Sequence, residues 1–282
     1  MNEARGLRRP LAVITASYSG IGAELSKRLA QAGYDLVLIN RDQDRTNKQL
    51  RELEALAPSI SVIGVAADLS DHQAMRFAAS QIAERHSQVD VLIHNAGALT
   101  DRLVLSSQGN DVHYEVNTVA PFLLTEMLRT QLAASEGAVV VAVGSSAMKM
   151  ARRLDLTGLR KPVRFKKFAP YAQSKLATAA AFRALAADYA NDGISLRVVD
   201  PGPAKTSMSN SPALPGWFRL FRRFFALPEA GAARIYEAAT APRFAGKSGI
   251  YIERGKIARL PASASDPETQ KRLLALLRET TM

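Results

Sequence analysis

The chain has 282 residues, 47% of them hydrophobic, which is ordinary for a globular protein and excludes disorder. Without cysteine it has no disulfide, thiolate nucleophile or cysteine-based metal centre, and its four histidines (His72, His86, His94, His113) form no metal-ligand pair at helical spacing, so no metal is expected. The 37 basic against 26 acidic side chains give +11 and a pI near 10.1. That balance suits nucleic acid, an anionic lipid or an anionic substrate, or simply a soluble basic surface.

Apolar runs of about five residues alternate with amphipathic stretches of helical length. Strands are predicted at Leu11–Thr15, Leu36–Ile39, Ser61–Ala66, Val91–His94, Ala138–Val143, Ser195–Val199 and Gly249–Ile252. Helices are predicted near Ile21–Gln31, Asp44–Ala57, His72–Glu84, Asp111–Ala134 and Tyr171–Tyr189, with Asp71 as an N-cap and Gly33 and Gly193 as stops. The pattern predicts one α/β domain over residues 1–282, a doubly wound, mostly parallel, seven-stranded sheet with helices on both faces. Residues 147–170 and 203–228 interrupt the alternation after the fifth and sixth strands, at the sheet edge where such folds bind ligands. The end, "SDPETQKRLLALLRETT", reads as a capped amphipathic helix. No stretch reaches transmembrane length, and Leu11–Ile14 is too short for a signal peptide, so a soluble, cytoplasmic protein is expected.

The first strand turns into the first helix through "TASYSGIG", residues 15–22. Gly20 lets the backbone approach a pyrophosphate, Gly22 lets the helix pack on the sheet, and the helix N-terminus supplies free N–H donors. Ala16 stands where a glycine is expected. It costs nothing at negative φ and obstructs the turn only if φ must be positive. The ribose-reading position at the end of the second strand holds Asn40, followed by Arg41. A missing carboxylate beside a guanidinium favours NADP over NAD, although Arg41 also suits a solvated loop. In "YAQSK", Tyr171 and Lys175 share a helix face at i, i+4, where an ammonium would draw the phenol pKa down toward neutrality.

With "TASYSGIG", Asp68 in "AADLSD", "HNAG" at 94–97, "VNT" around Asn117, "VGSS" at 143–146, "YAQSK" and "DPGPAKT" at 200–206, the chain resembles a short-chain dehydrogenase/reductase over Leu11 to about Ile252. The long gap from Ser145 to Tyr171, "VNTVAPFLLTEML" and "SGIYIERGK" resemble the retinol dehydrogenase-like branch. The resemblance implies a Rossmann-type fold with Asn117, Ser145, Tyr171 and Lys175 as catalytic residues. Tyr171 would exchange the proton, Lys175 tune it, Ser145 hold the carbonyl, with Ser146 serving the turn, and Asn117 anchor a relay water. The implied cofactor contacts are Thr15, Ser17, Ser19, Gly20 and Ile21 in the turn, and Asn40, Arg41, Asp68 and Leu69 toward the adenosine. Asn95, Ala96 and Gly97 form the floor, while Tyr171, Lys175, Pro201, Gly202 and Thr206 border the nicotinamide. Strand-end capping is an alternative role for Asn95 and Asp68.

These residues point to an NADP(H)-dependent oxidoreductase, NAD(H) being the second choice, that interconverts a small lipophilic ketone or aldehyde and its alcohol. The alternative is a catalytically silent nucleotide-sensing or scaffold protein. The first long segment carries Arg152, Arg153, Arg160, Lys161, Arg164, Lys166 and Lys167. The second interleaves Trp217, Phe218, Phe221, Phe224 and Phe225 with Arg219, Arg222 and Arg223. A lid, a site for an anionic group on the substrate and a peripheral membrane contact all suit them; nucleic acid ranks last, since no groove-reading motif is present. The alanine-rich helix "KLATAAAFRALAADYA" suits close packing on a symmetry mate, hence a homo-oligomer, or on the chain's own sheet.

Overall fold

Eight strands form one sheet in the order β3-β2-β1-β4-β5-β6-β7-β8 in the computed structural model, which describes residues 8–206, 208–214 and 225–282. The strands are β1 Leu11–Thr15, β2 Asp35–Asn40, β3 Val62–Ala66, β4 Val91–His94, β5 Val139–Val143, β6 Ser195–Asp200, β7 Ile250–Glu253 and β8 Lys256–Ala258. All neighbours pair in parallel except β7 and β8. Ile14 lies between Leu38 of β2 and Ile93 of β4, so the order reverses at β1 and opens a crevice beyond its carboxyl end.

The strands read as unbroken apolar runs because both faces are covered. Leu11 and Val13 enter one core with Met75, Leu176 and Phe182, while Ala12 and Ile14 enter the other with Leu25, Leu29 and Ile235. The main helices are α1 Gly20–Gln31, α2 Gln43–Leu56, α3 His72–Arg85, α4 Ala120–Met127, α5 Arg129–Ala133, α6 Ala169–Asn191, α7 Pro228–Thr240 and α8 Pro267–Thr281. Asp71 caps α3 by accepting from Gln73 N at 2.9 Å.

Three elements differ from the sequence reading. The eighth strand is three residues long and follows a tight turn with φ of +50° at Arg254 and +87° at Gly255, too brief to show alternation. The expected helix Asp111–Ala134 is broken into a one-turn helix Val112–Tyr114, a π-helical turn Glu115–Val119, α4 and α5. Pro121 has no N–H to close an α-helical bond onto Asn117 O, four residues back, and the Thr178 hydroxyl donates to that oxygen instead at 2.5 Å. The unpredicted α7 is rich in alanine and glycine. A Cβ on its Gly231 would lie 2.8 Å from Ile21 Cδ1, so the glycine permits close packing on α1. Buried Arg197 on β6 secures the far end of α7, donating to Ala238 O (2.6 Å), Phe244 O (2.6 Å) and Lys247 O (3.1 Å).

The alanines of α6 are buried within this chain, Ala177, Ala179 and Ala180 completely, so the chain's own packing accounts for them. Asp266 caps α8 through Thr269 N (2.8 Å), and Leu273 and Leu277 of α8 join the core on the α6 side of the sheet. Residues 147–170 hold a 3₁₀ turn, Ser146–Met150, and a one-turn helix, Leu156–Leu159. In the second segment, Trp217, Phe218, Arg219, Leu220, Phe221, Arg222, Arg223 and Phe224 lie outside the described residues. Among the described residues no helix is long and apolar enough to cross a membrane, and no group of three potential metal ligands is present.

Candidate active site

The turn after β1 is held at positive φ twice, at Ala16 (+52°) and Gly20 (+54°). Ala16 therefore falls on the unfavourable side of the sequence argument: it carries strain, yet the turn forms around it. Its N–H donates to Ile39 O at 2.9 Å, and Asn95 Nδ2 donates to Ala16 O (2.9 Å) and Thr15 O (3.1 Å). The Thr15 hydroxyl accepts from Ala96 N at 3.0 Å. A Cβ on Gly22 would lie 2.4 Å from Ala16 O and 2.6 Å from Asn95 Nδ2, so glycine is required there. Ala16→Gly is expected to raise stability by about 1 kcal/mol, read from denaturant unfolding. An unchanged or lower midpoint would mean that packing of the Ala16 methyl outweighs the strain.

The side chains of Ser17 and Asn40, expected to meet the cofactor, turn inward and bond to each other. Asn40 Oδ1 accepts from Ser17 N at 2.8 Å, and Asn40 Nδ2 donates to Ser17 Oγ at 2.9 Å. Gln49 of α2 completes the knot, accepting from Ser17 Oγ (2.8 Å) and donating to Ser17 O (2.7 Å). Nothing in the sequence singled out Gln49, whose only signal is a place on the buried face of α2 with Thr46 and Leu53. Leu69 and Ala96 likewise put their side chains in the core. Arg41 and Asp68 remain at the surface, with Arg41 Nη1 3.8 Å from Asp68 Oδ2, while Asp68 Oδ1 accepts from Ser70 N (2.9 Å) and Oγ (2.7 Å). Beside them Arg45 lies over the Tyr18 ring, 4.2 Å from its centroid.

The crevice deepens into a cleft of about 600 Å³, which brings together Ser19, Gly20, Ile21, Asn95, Gly97, Ser145, Tyr171, Lys175, Pro201, Gly202 and Thr206. A Cβ on Gly97 would lie 3.1 Å from Met208 Cε, 3.5 Å from Asn117 Oδ1 and 3.8 Å from Lys175 Nζ, so glycine keeps the floor open. Open floor, glycine turn and the N-terminus of α1 together fit a bound dinucleotide. Asn117 stands behind this floor. Its Oδ1 accepts from Ala98 N (2.8 Å), and its Nδ2 donates to Ser174 Oγ (2.9 Å) and Ala98 O (3.1 Å).

The two serines at the end of β5 divide their work. Ser145 lines the cleft beside Tyr171 and works to lower its pKa, whereas Ser146 N donates to Asp200 Oδ2 at 2.9 Å. Asp200 Oδ1 accepts from Gly202 N at 2.8 Å, joining the ends of β5 and β6. Lys175 Nζ donates to Val143 O at 2.7 Å and lies 5.9 Å from the Tyr171 ring centroid. Burial lowers the Lys175 pKa to about 8, with Asp200 opposing. It pushes Tyr171 up to about 12, outweighing the lowering effect of Ser145. The expected lowering of the phenol by its lysine is thus reversed, because desolvation dominates and the ammonium is turned to a carbonyl. Apolar side chains absent from the sequence reading complete the wall: Leu99, Met150, Phe168, Met208 and Leu214, with the Phe168 ring tilted against that of Tyr171, centroids 5.5 Å apart. Two of these, Met150 and Phe168, were to be found in the long segment after β5.

The short chain dehydrogenase family model matches residues 10–213. The chain is 31% identical over 279 residues to dehydrogenase/reductase SDR family member 13 of Bos taurus, covering 95% of this chain and 72% of that one. It is 30% identical to polyprenol dehydrogenase of Mus musculus, covering 94% and 82%, and 27% identical to human retinol dehydrogenase 13, covering 93% and 82%. Among solved structures, a Burkholderia cenocepacia short chain dehydrogenase in complex with NADP superposes with a TM-score of 0.71 at 25% identity, over 88% of this chain and 97% of that one. A cleft that sets a serine, a tyrosine and a lysine beside a glycine turn, on a sheet of this order, agrees with those matches: the chain belongs to the short-chain dehydrogenase family, on its retinol dehydrogenase-like side.

Proposed function

We propose that the protein interconverts a lipophilic ketone or aldehyde and the corresponding alcohol, with NADP(H) as the preferred cofactor. The observation that carries this reading is the meeting of Ser145, Tyr171 and Lys175 in one apolar-walled cleft beside the phosphate turn. Ser145 Oγ orients a carbonyl oxygen toward Tyr171, and the Tyr171 hydroxyl gives that oxygen its proton. Reduced nicotinamide, when bound, supplies the hydride. Lys175 steadies the phenolate as it forms, and the apolar wall keeps water from the proton transfer.

The lipophilic substrate follows from Leu99, Met150, Phe168, Met208 and Leu214. It agrees with the names of relatives such as retinol and polyprenol dehydrogenases. The NADP preference follows from Arg41, an exposed guanidinium with no carboxylate at Asn40 to repel a 2′-phosphate. Titration followed by nicotinamide fluorescence is expected to give tighter binding of NADPH than of NADH. Arg41→Ala is expected to weaken NADPH about tenfold or more, the worth of a charge-assisted hydrogen bond, and to leave NADH unchanged. Equal affinity of the wild type for both cofactors would overturn the preference. Binding of neither would return the chain to the scaffold reading.

A further inference from the structure

The stretch from Ala151 to Phe168 gathers six exposed cations around a single acid. Arg152, Arg153, Lys161, Arg164, Lys166 and Lys167 are all exposed, and none makes an ion pair among the described residues. The stretch has one acid, Asp155, whose Oδ1 is taken up by Gly158 N at 3.1 Å. These cations stand on a fixed platform. Leu159 is buried, Arg160 Nε donates to Asn110 Oδ1 (2.9 Å), and Arg160 Nη1 pairs with Glu279 (3.1 Å). Between Lys161 and Arg164 the Val163 side chain projects fully into solvent, 102% exposed. At the two ends of the platform, Met150, itself 54% exposed, and Phe168 line the cleft.

We propose that this platform docks the protein on an anionic lipid bilayer, with the mouth of the cleft beside the membrane surface. Unpaired like charges held together repel one another, and a negatively charged plane relieves that repulsion at every cation. Val163 adds an apolar tip able to enter the headgroup layer among its basic neighbours. An acidic protein fits less well, because protein interfaces are built round a packed apolar or aromatic centre, and Phe165 is turned inward against His113, with centroids 6.2 Å apart. The same inward turn leaves this stretch, residues 151–168, without an outward aromatic on which bases of a single-stranded nucleic acid could stack. Mobile headgroups need no matching pattern of carboxylates. Docking stands on the surface alone and does not depend on the oxidoreductase reading.

The test is co-sedimentation of the full chain with vesicles of phosphatidylcholine, with or without phosphatidylglycerol. The protein is expected to pellet with the phosphatidylglycerol vesicles, to stay in solution with phosphatidylcholine alone, and to be released by added salt. Combined Arg164→Glu, Lys166→Glu and Lys167→Glu is expected to lower the apparent affinity about tenfold or more. Val163→Asp, at a fully exposed position, is expected to weaken binding with no change in thermal unfolding. No pelleting of the wild type, or equal pelleting of the charge-reversed variant, would overturn the proposal. Binding to poly-glutamate but not to vesicles would overturn it in favour of an acidic protein partner.

Discussion

Tyr171→Phe is expected to lower reductive turnover by about a hundredfold to ten-thousandfold, the usual worth of a positioned proton donor, while leaving NADPH affinity nearly unchanged. Phenylalanine keeps the ring under Phe168 and fills the same buried volume. What is lost is the hydroxyl. Ser145 Oγ still accepts from Ala147 N at 3.2 Å, so no buried oxygen is orphaned and the cost in stability stays below about 1 kcal/mol. The measurement pairs a turnover assay on a panel of apolar aldehydes and ketones with a fluorescence titration of the cofactor. Turnover within tenfold of the wild type would remove Tyr171 as the proton donor. Intact NADPH binding together with lost turnover would locate the defect in the chemistry.

Sheet and helices were readable where burial writes itself into the chain. Leu11–Ile14 is apolar throughout because both faces of the strand are covered, and Tyr171 and Lys175 stand out because i, i+4 spacing on a helix sets them on one face. Other features are tertiary and leave little local trace. Asn40 has the position of a ribose reader, yet its hydrogen bonds with Ser17 can be foreseen only if the turn and the strand end are already side by side. The apolar pattern runs unbroken from Asp111 to Ala134, and Pro121 was the one local sign that the helix changes register at Asn117. Spacing identified Tyr171 and Lys175 as partners but gave the wrong direction for the phenol, because desolvation depends on what the rest of the fold packs around it. Likewise, the sequence sets the condition on Ala16, and only the backbone answers it at φ +52°.

Lys175→Met is expected to abolish turnover and to make the protein more stable. Lys175 is 4% exposed, and burial has brought its pKa from 10.5 to about 8. Between those two values the unfolded chain holds a proton that the folded chain has released, so stability rises with pH across that window. Below pH 8 the folded protein carries the buried charge and bears its full cost, on the order of 3 kcal/mol. Methionine removes that burden at similar volume. It also gives up the hydrogen bond to Val143 O, about 1 kcal/mol, which leaves a net gain of roughly 2 kcal/mol. Urea unfolding at neutral and at alkaline pH separates the causes: the advantage of the methionine variant is expected to shrink as pH rises through 8. A constant advantage, or a less stable variant, would show that the ammonium is not a burden. In the wild type the same proton should set the alkaline limb of the reductive pH profile near 8, since a neutral amine cannot steady the Tyr171 phenolate. The fold thus bears a destabilising charge at the one place where the proton transfer needs it.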